Sequence, residues 1–219
     1  MSEAQPGDEN RPVPKPLMEN PDETLVSRYR TRLGRLVGLI IFLYVVLVAP
    51  PRMFPAWTGL AFESLGFVLL AAAAFGRLWC LVFIAGSKDK VLQREGPYSV
   101  VRNPLYFFSF LGAIGFGLVT RNPFLSVFLA GAFTFQYAVT VKTEEAHLRR
   151  LFGEDFSRYV AQVPRWFPNW SLYREPARLS VDARRIREGM LDAMWFLWAY
   201  LFWQVLDTLR AMGVVSTLA

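Results

Sequence analysis

Two apolar stretches, Pro104–Thr120 and Phe124–Val141, are separated only by Arg121-Asn122-Pro123. Each approaches the length a helix needs to cross a hydrocarbon core, about 20 residues. So short a link forces the two helices to be antiparallel neighbours, and the pair predicts a membrane-embedded helical hairpin. Three more stretches have the same character: Leu33–Ala49, closed by Pro50-Pro51; Trp57–Ala85, alanine-rich and interrupted by Arg77; and Met190–Met212, dense in tryptophan, with Asp192 and Asp207 near its ends. The last reads either as a fifth span or as an interfacial helix. The expected fold is all-α, a polytopic membrane helical bundle of about five transmembrane helices with a helical hairpin and a cytoplasmic amphipathic helix. Composition agrees, since 53% hydrophobic and 16% aromatic residues are too many for an ordinary soluble chain of 219 residues.

Three regions are expected. Residues 1–24 hold five prolines, several acids and almost no aliphatic side chains, the composition of a disordered tail. That tail lacks the order of a cleavable signal peptide, so Leu33–Ala49 reads as a retained signal anchor or first span. Residues 25–170 form the core and 171–219 a C-terminal extension. Orientation follows from the basic residues. Twenty of the 24 Lys and Arg lie in 1–35, 86–102 and 142–188, and only Arg52 and Arg121 fall in the opposite loops. Basic residues accumulate on the cytoplasmic side, which places the N-terminus inside and, with five spans, the C-terminus on the opposite side. The net charge of +6 is then topological and suited to anionic lipid headgroups, with no call for nucleic acid. The single Cys80 and single His147 give no disulfide framework and no metal-ligand spacing, so no metal is expected.

Chemistry gathers where polar segments meet the hairpin. Residues 88–106 run as a polar stretch through a Gly96-Pro97 turn straight into an apolar helix. Asn103 suits the N-cap and Pro104 the first helical turn. A helix beginning there aims free N–H groups and a positive dipole end at the interface, which suits a carboxylate or phosphate, although capping and an interfacial tyrosine pair account for the same residues. After the hairpin, Thr143 is placed to cap an amphipathic helix carrying Leu148, Leu151, Phe152, Phe156 and Tyr159 on roughly one face. Glu144 and Glu145 read either as first-turn dipole partners or as carboxylates for a ligand ammonium. Arg165, in the rigid Val163-Pro164-Arg165-Trp166-Phe167-Pro168 run, reads either as a snorkelling residue or as a clamp for a substrate anion.

These blocks carry a resemblance. Gly96-Pro97-Tyr98-x-x-x-Arg102-Asn103-Pro104-x-Tyr106 resembles the Gly-x-Tyr…Arg-His-Pro-x-Tyr signature of the isoprenylcysteine carboxyl methyltransferases and the related phospholipid methyltransferases. Glu144-Glu145-x-x-Leu148…Phe152-Gly153-Glu154-Asp155-Phe156-x-x-Tyr159 and Val163-Pro164-Arg165…Pro168 follow in the same order and spacing, so that about residues 60–170 are covered.

The resemblance implies an integral membrane methyltransferase that takes a methyl group from S-adenosylmethionine to a lipid or lipid-modified small molecule, through a carboxylate or amine. Carried over by position, cofactor contacts come from Lys90, Val91, Leu92, Gln93, Tyr98, Asn103, Pro104, Leu105, Tyr106 and Glu144. Catalytic assistance falls to Arg165, orienting an acceptor carboxylate, or to Glu145, taking a proton from an acceptor amine. Two positions depart from the pattern. Asn103 stands where the family has histidine, removing a titratable group. Thr140 stands where the prenylcysteine enzymes have a substrate-binding arginine, which argues against prenylcysteine. Other readings are a membrane reductase of the sterol-reductase type using NADPH and a non-catalytic scaffold. Gly112, Gly115 and Gly117 read as close helix packing. Arg77 reads as snorkelling or as facing a carboxylate or the pocket. Trp195, Trp198 and Trp203 read as an interface anchor or a wall for a lipid tail.

Overall fold

A computed structural model describes residues 36, 38–48, 55–85, 91–179 and 181–215. The expected tail, 1–24, and Lys90 lie outside the described residues. Helix α1, Gly38–Leu47, belongs to a unit separate from 50–217 and is described by itself: a short, wholly apolar helix. The larger unit contains α2 (Ala56–Ile84), α3 (Pro97–Val100), α4 (Pro104–Val119), α5 (Pro123–Gln162), a 3-10 turn at Trp170–Leu172, α6 (Ala183–Ala193) and α7 (Trp195–Ala211). No strand occurs among the described residues. The stretches Trp57–Ile84 and Pro123–Gln162 are long and apolar enough to cross a membrane.

Helix α2 packs most extensively on α4, through glycines rather than large side chains. A Cβ added to Gly66 would lie 2.6 Å from the Gly115 carbonyl oxygen, and one added to Gly115 would lie 2.8 Å from that of Gly66. The backbones thus approach as closely as small residues permit, which is how helices associate when lipid offers no hydrophobic drive to do so. The other two glycines of the run face other neighbours: a Cβ on Gly112 would strike the Phe196 ring of α7, and one on Gly117 would strike Ser126 of α5. All three are buried, as close packing requires.

Helices α4 and α5 are joined by three residues. Arg121 takes a positive φ of 54°, the Asn122 side chain accepts from Leu125 N at 3.1 Å, and Pro123 occupies the first helical turn, where its missing N–H costs nothing. The helices run antiparallel from there, with Phe110 beside Phe133 (ring centroids 6.0 Å apart) and Tyr106 beside Tyr137 (5.2 Å).

Two expectations need correction here. Helix α5 does not end at the apolar boundary and restart at a capping Thr143; it continues through Thr143, whose Oγ1 donates back to Val139 O, as far as a kink at Gly153. The segment from Val141 to Arg150 has no Gly, Pro or Asn, and its Lys, Glu, Ala, Leu and Arg are good helix formers, so nothing interrupts the ladder. The break comes later, at Gly153 (φ 51°, ψ −120°), a conformation open to glycine and strained for any residue with a Cβ. It turns the last stretch so that Leu148 and Phe152 join Phe156, Tyr159 and Val163 in a small core, while Leu151 stays exposed.

The second correction concerns the C-terminal stretch. It is not one helix from Met190 to Met212 but the pair α6 and α7, meeting at Met194. Asp182 caps α6 by accepting from Arg184 N and Arg185 N. From there the pair runs antiparallel along α2. Asp182 N donates to Ala85 O at 3.4 Å, Asp192 pairs with Arg77, the Tyr200 ring lies tilted against Phe67 with centroids 5.0 Å apart, and Gln204 donates to Glu63. Arg77 thus faces a carboxylate, and also donates to Ser109 of α4. At the far end Asp207 holds Arg121 of the α4–α5 link at 2.8 Å.

Candidate functional site

The site is built where the start of α4, the polar half of α5 and the segment after α5 converge. Residues 96–102 and 159–174 are tied together by hydrogen bonds. Gly96 N donates to Arg174 O, Arg102 N to Pro164 O, Asn169 N to Val100 O, and Arg174 N to Ser99 Oγ. Gly96 permits the turn in two ways: its φ is 58°, and a Cβ would sit 2.2 Å from the Phe83 ring.

Tyr159 joins the same seam, its hydroxyl donating to Tyr98 O at 2.7 Å. Burial, first of all, pushes the phenols of Tyr98 and Tyr159 above their ordinary range. A raised pKa means that the neutral phenol is favoured by the fold. The stability it contributes is full below the unfolded tyrosine value of about 10 and is lost as pH rises above it. Unfolding temperature in detergent is therefore expected to fall above about pH 10, and Tyr159→Phe is expected to flatten that fall while costing about 1 kcal/mol for the missing hydrogen bond. A Tyr159→Phe protein with the wild-type alkaline profile would refute the assignment.

Consecutive residues on a helix point about 100° apart, and Glu144 and Glu145 use this to serve two places. Glu144 faces α4, where the Tyr106 hydroxyl donates to it at 2.8 Å. Glu145, only 7% exposed, faces the segment after α5. Arg165 grips it with Nε at 3.0 Å and with Nη2, and Arg102 adds Nη1 at 3.4 Å. Arg102 also donates to the carbonyls of Val163 and Val160, at 2.7 and 2.6 Å. The hydrogen bonds to Glu145 raise the pKa of Arg165 still further, so its charge is fixed. Rings connect Tyr106, the partner of Glu144, to the segment that carries Arg165: Tyr106 lies against Tyr137, and Tyr137 against Trp166 at 4.7 Å.

The structure thus brings together Tyr106 with Glu144, and Glu145 with Arg165. Asn103 stands at the head of α4, but its side chain makes no capping bond; its Nδ2 is buried without a hydrogen-bond partner. Pro104 is buried beneath it, and Leu105 contributes its carbonyl to Ser109 Oγ at 2.8 Å. Leu92 packs on the Phe156 core, Gln93 is half-buried and Val91 is exposed. Sequence reasoning passed over Arg102, Tyr137 and Trp166. Arg102 had a signal, since it belongs to the same Arg-Asn-Pro-x-Tyr run, whereas the two rings needed the antiparallel pairing to be placed.

Residues 67–155 match the model of the phospholipid methyltransferases. The chain is 31% identical over 193 residues to the cobalt-zinc-cadmium resistance protein CzcN of Cupriavidus metallidurans, covering 88% of each. The chain belongs to the phospholipid methyltransferase family. The nickel-cobalt-cadmium resistance protein NccN of Alcaligenes xylosoxydans is similar over 81% of this chain and 83% of its own length, at 32% identity. The protein-S-isoprenylcysteine O-methyltransferase of Schizosaccharomyces pombe is 32% identical over 83 residues, 37% of this chain and 35% of its own. No solved structure matches. The phospholipid methyltransferase match spans α4, the Tyr106–Glu144 contact and the arginine-bound Glu145. Among the described residues no group of three or more His, Cys, Asp and Glu is placed to hold a metal ion.

Proposed function

We propose that the chain is an integral membrane methyltransferase that binds S-adenosylmethionine between α4 and α5 and methylates a lipid or lipid-modified small molecule. The observation that carries the reading is the head of α4. Within one turn it presents a buried amide nitrogen without a partner, Asn103 Nδ2, and a phenol, Tyr106, bonded to the carboxylate of Glu144. An unmet buried donor costs free energy unless an acceptor comes to it, and a helix start favours an anion there. A molecule with a carboxylate at one end, an ammonium beside it and a flat aromatic part fits this set: Asn103 and the helix start for the carboxylate, Glu144 for the ammonium, and the Tyr98, Leu92 and Tyr106 side chains for the rest. Bound there, S-adenosylmethionine supplies a methyl group already activated by its sulfonium centre.

The protein's own work is then placement and exclusion of water. Glu144 can meet a cation because the group bonded to it, the Tyr106 hydroxyl, is neutral. Glu145 serves differently. With two guanidinium groups on it, it is suited to holding Arg165 in position rather than to accepting a proton. The active face lies on the cytoplasmic side, by the distribution of basic residues.

Calorimetry on the purified protein in detergent tests the reading. S-adenosylmethionine is expected to bind with micromolar affinity, and NADPH is not. Binding of NADPH alone would move the chain to the reductases, and binding of neither would leave a scaffold.

A further inference from the structure

Around Glu145 the charges do not balance. Two guanidinium groups, Arg102 and Arg165, face one carboxylate that is 7% exposed. Arg102 is consumed, because its three nitrogens go to Glu145 and to the carbonyls of Val160 and Val163. Arg165 is not: Nε and Nη2 lie on Glu145, which leaves Nη1 over, and the side chain keeps 37% of its surface exposed. One positive charge is therefore in excess, held rigidly and presented outward. A guanidinium edge fixed in this way recognises an anion at a smaller entropic cost than a mobile lysine would.

The surroundings of that edge say what kind of anion suits it. The residue after Arg165 is Trp166, whose ring meets Tyr137; Tyr137 lies 6.4 Å from Phe133, and Phe133 in turn lies 6.0 Å from Phe110 of α4. The row runs from the charge toward the apolar interior along the facing sides of α4 and α5. Tyr137 also touches Tyr106, the partner of Glu144. At the position where the prenylcysteine enzymes carry their anion-binding arginine this chain has Thr140, 5% exposed. The charge is supplied from a different segment of the chain, against a different wall.

We infer that Arg165 and the Tyr137–Phe133–Phe110 row form the acceptor subsite, and that the acceptor is an anionic amphiphile. Its phosphate or carboxylate docks on the Arg165 edge and its apolar chain lies along the rings. This rests on the methyltransferase reading for its purpose, but not for its test.

The test uses the full chain in neutral maltoside micelles, with dodecyl phosphate, dodecanoate, inorganic phosphate and S-adenosylmethionine as separate calorimetric probes. At least one of the two dodecyl anions is expected to bind, and the tighter names the headgroup chemistry. Arg165→Gln is expected to weaken that binding by about tenfold or more, and Arg165→Lys to restore part of it. Affinity for S-adenosylmethionine should stay within about twofold of wild type, since Arg165 is not among the groups assigned to the cofactor. Equal binding of dodecyl anions by wild type and Arg165→Gln overturns the proposal. So does inorganic phosphate binding as tightly as dodecyl phosphate, which would assign a soluble anion, and so does loss of S-adenosylmethionine along with the anion, which would put Arg165 in the cofactor site. A wild-type protein that ignores S-adenosylmethionine yet binds dodecyl anions through Arg165 would keep this subsite and remove the methyltransferase reading.

Discussion

Glu145→Ala is expected to destabilise the protein by about 3 kcal/mol, measured as unfolding free energy in mixed micelles. The carboxylate is buried, and its loss leaves two guanidinium groups facing each other with nothing between. Removing one member of a buried ionic cluster is costly because the charges left behind cannot recover their hydration. The partial exposure of Arg165 keeps the figure at the lower end of the range for such losses. The damage should fall on the segment that Arg102 and Arg165 pin down, from Val160 to Arg165. Two comparisons separate this from a simple loss of volume. Glu145→Gln keeps the size and an acceptor and should cost less. Adding Arg165→Gln to Glu145→Ala should recover part of the loss, since it removes one of the unbalanced charges. If Glu145→Ala unfolds at the wild-type free energy, the cluster has no structural role and the argument for a fixed Arg165 goes with it.

Glu144→Gln is expected to behave in the opposite way, folding normally while binding S-adenosylmethionine about 10- to 100-fold more weakly. A charge-assisted hydrogen bond contributes about 1.5–3 kcal/mol, and the amide keeps the shape but not the charge. The fold should tolerate the change because the amide oxygen still accepts from the Tyr106 hydroxyl. Tyr106→Phe, which leaves the carboxylate but frees it to move, should weaken binding by only about fivefold. Calorimetry on the three proteins decides: unchanged affinity in Glu144→Gln would take Glu144 out of the site. With both expected outcomes, adjacent residues of one helix are told apart by experiment, Glu145 supporting the fold and Glu144 the ligand.

The sequence was informative where local chemistry decides the structure. Arg121-Asn122-Pro123 announces a tight turn between two helices, and there Asn122 accepts from Leu125 N while Pro123 takes the first helical turn. The glycine run in α4 announced close packing, although not that its members face three different neighbours. Where a residue had two uses, its local character misled. Thr143 has the look of a cap but lies inside a continuous ladder, and Asn103 occupies the cap position without making the bond. Long-range pairings were beyond reach, because nothing local joins Arg77 to Asp192 or Glu63 to Gln204 across more than a hundred residues. The same holds for the site. Glu144, Glu145, Tyr106 and Arg165 were legible as a motif, but their division into one pair and one arginine-bound group follows from which way each side of α5 faces.

The unbroken run of α5 from Pro123 to Glu144 makes it a ruler. From Pro123, just past the turn, to Glu144 is twenty-one residues, or about 32 Å of helix at 1.5 Å per residue, close to the roughly 30 Å thickness of a bilayer's oily interior. On the proposed membrane reading, the height of the carboxylate above the far boundary is counted out in peptide units, with no break between Pro123 and Glu144 to absorb an error. A single residue added or removed between them would shift Glu144 along the axis and swing it by about 100°, turning it away from Tyr106 altogether. The distance from the turn to the carboxylate is set by a backbone that leaves no slack.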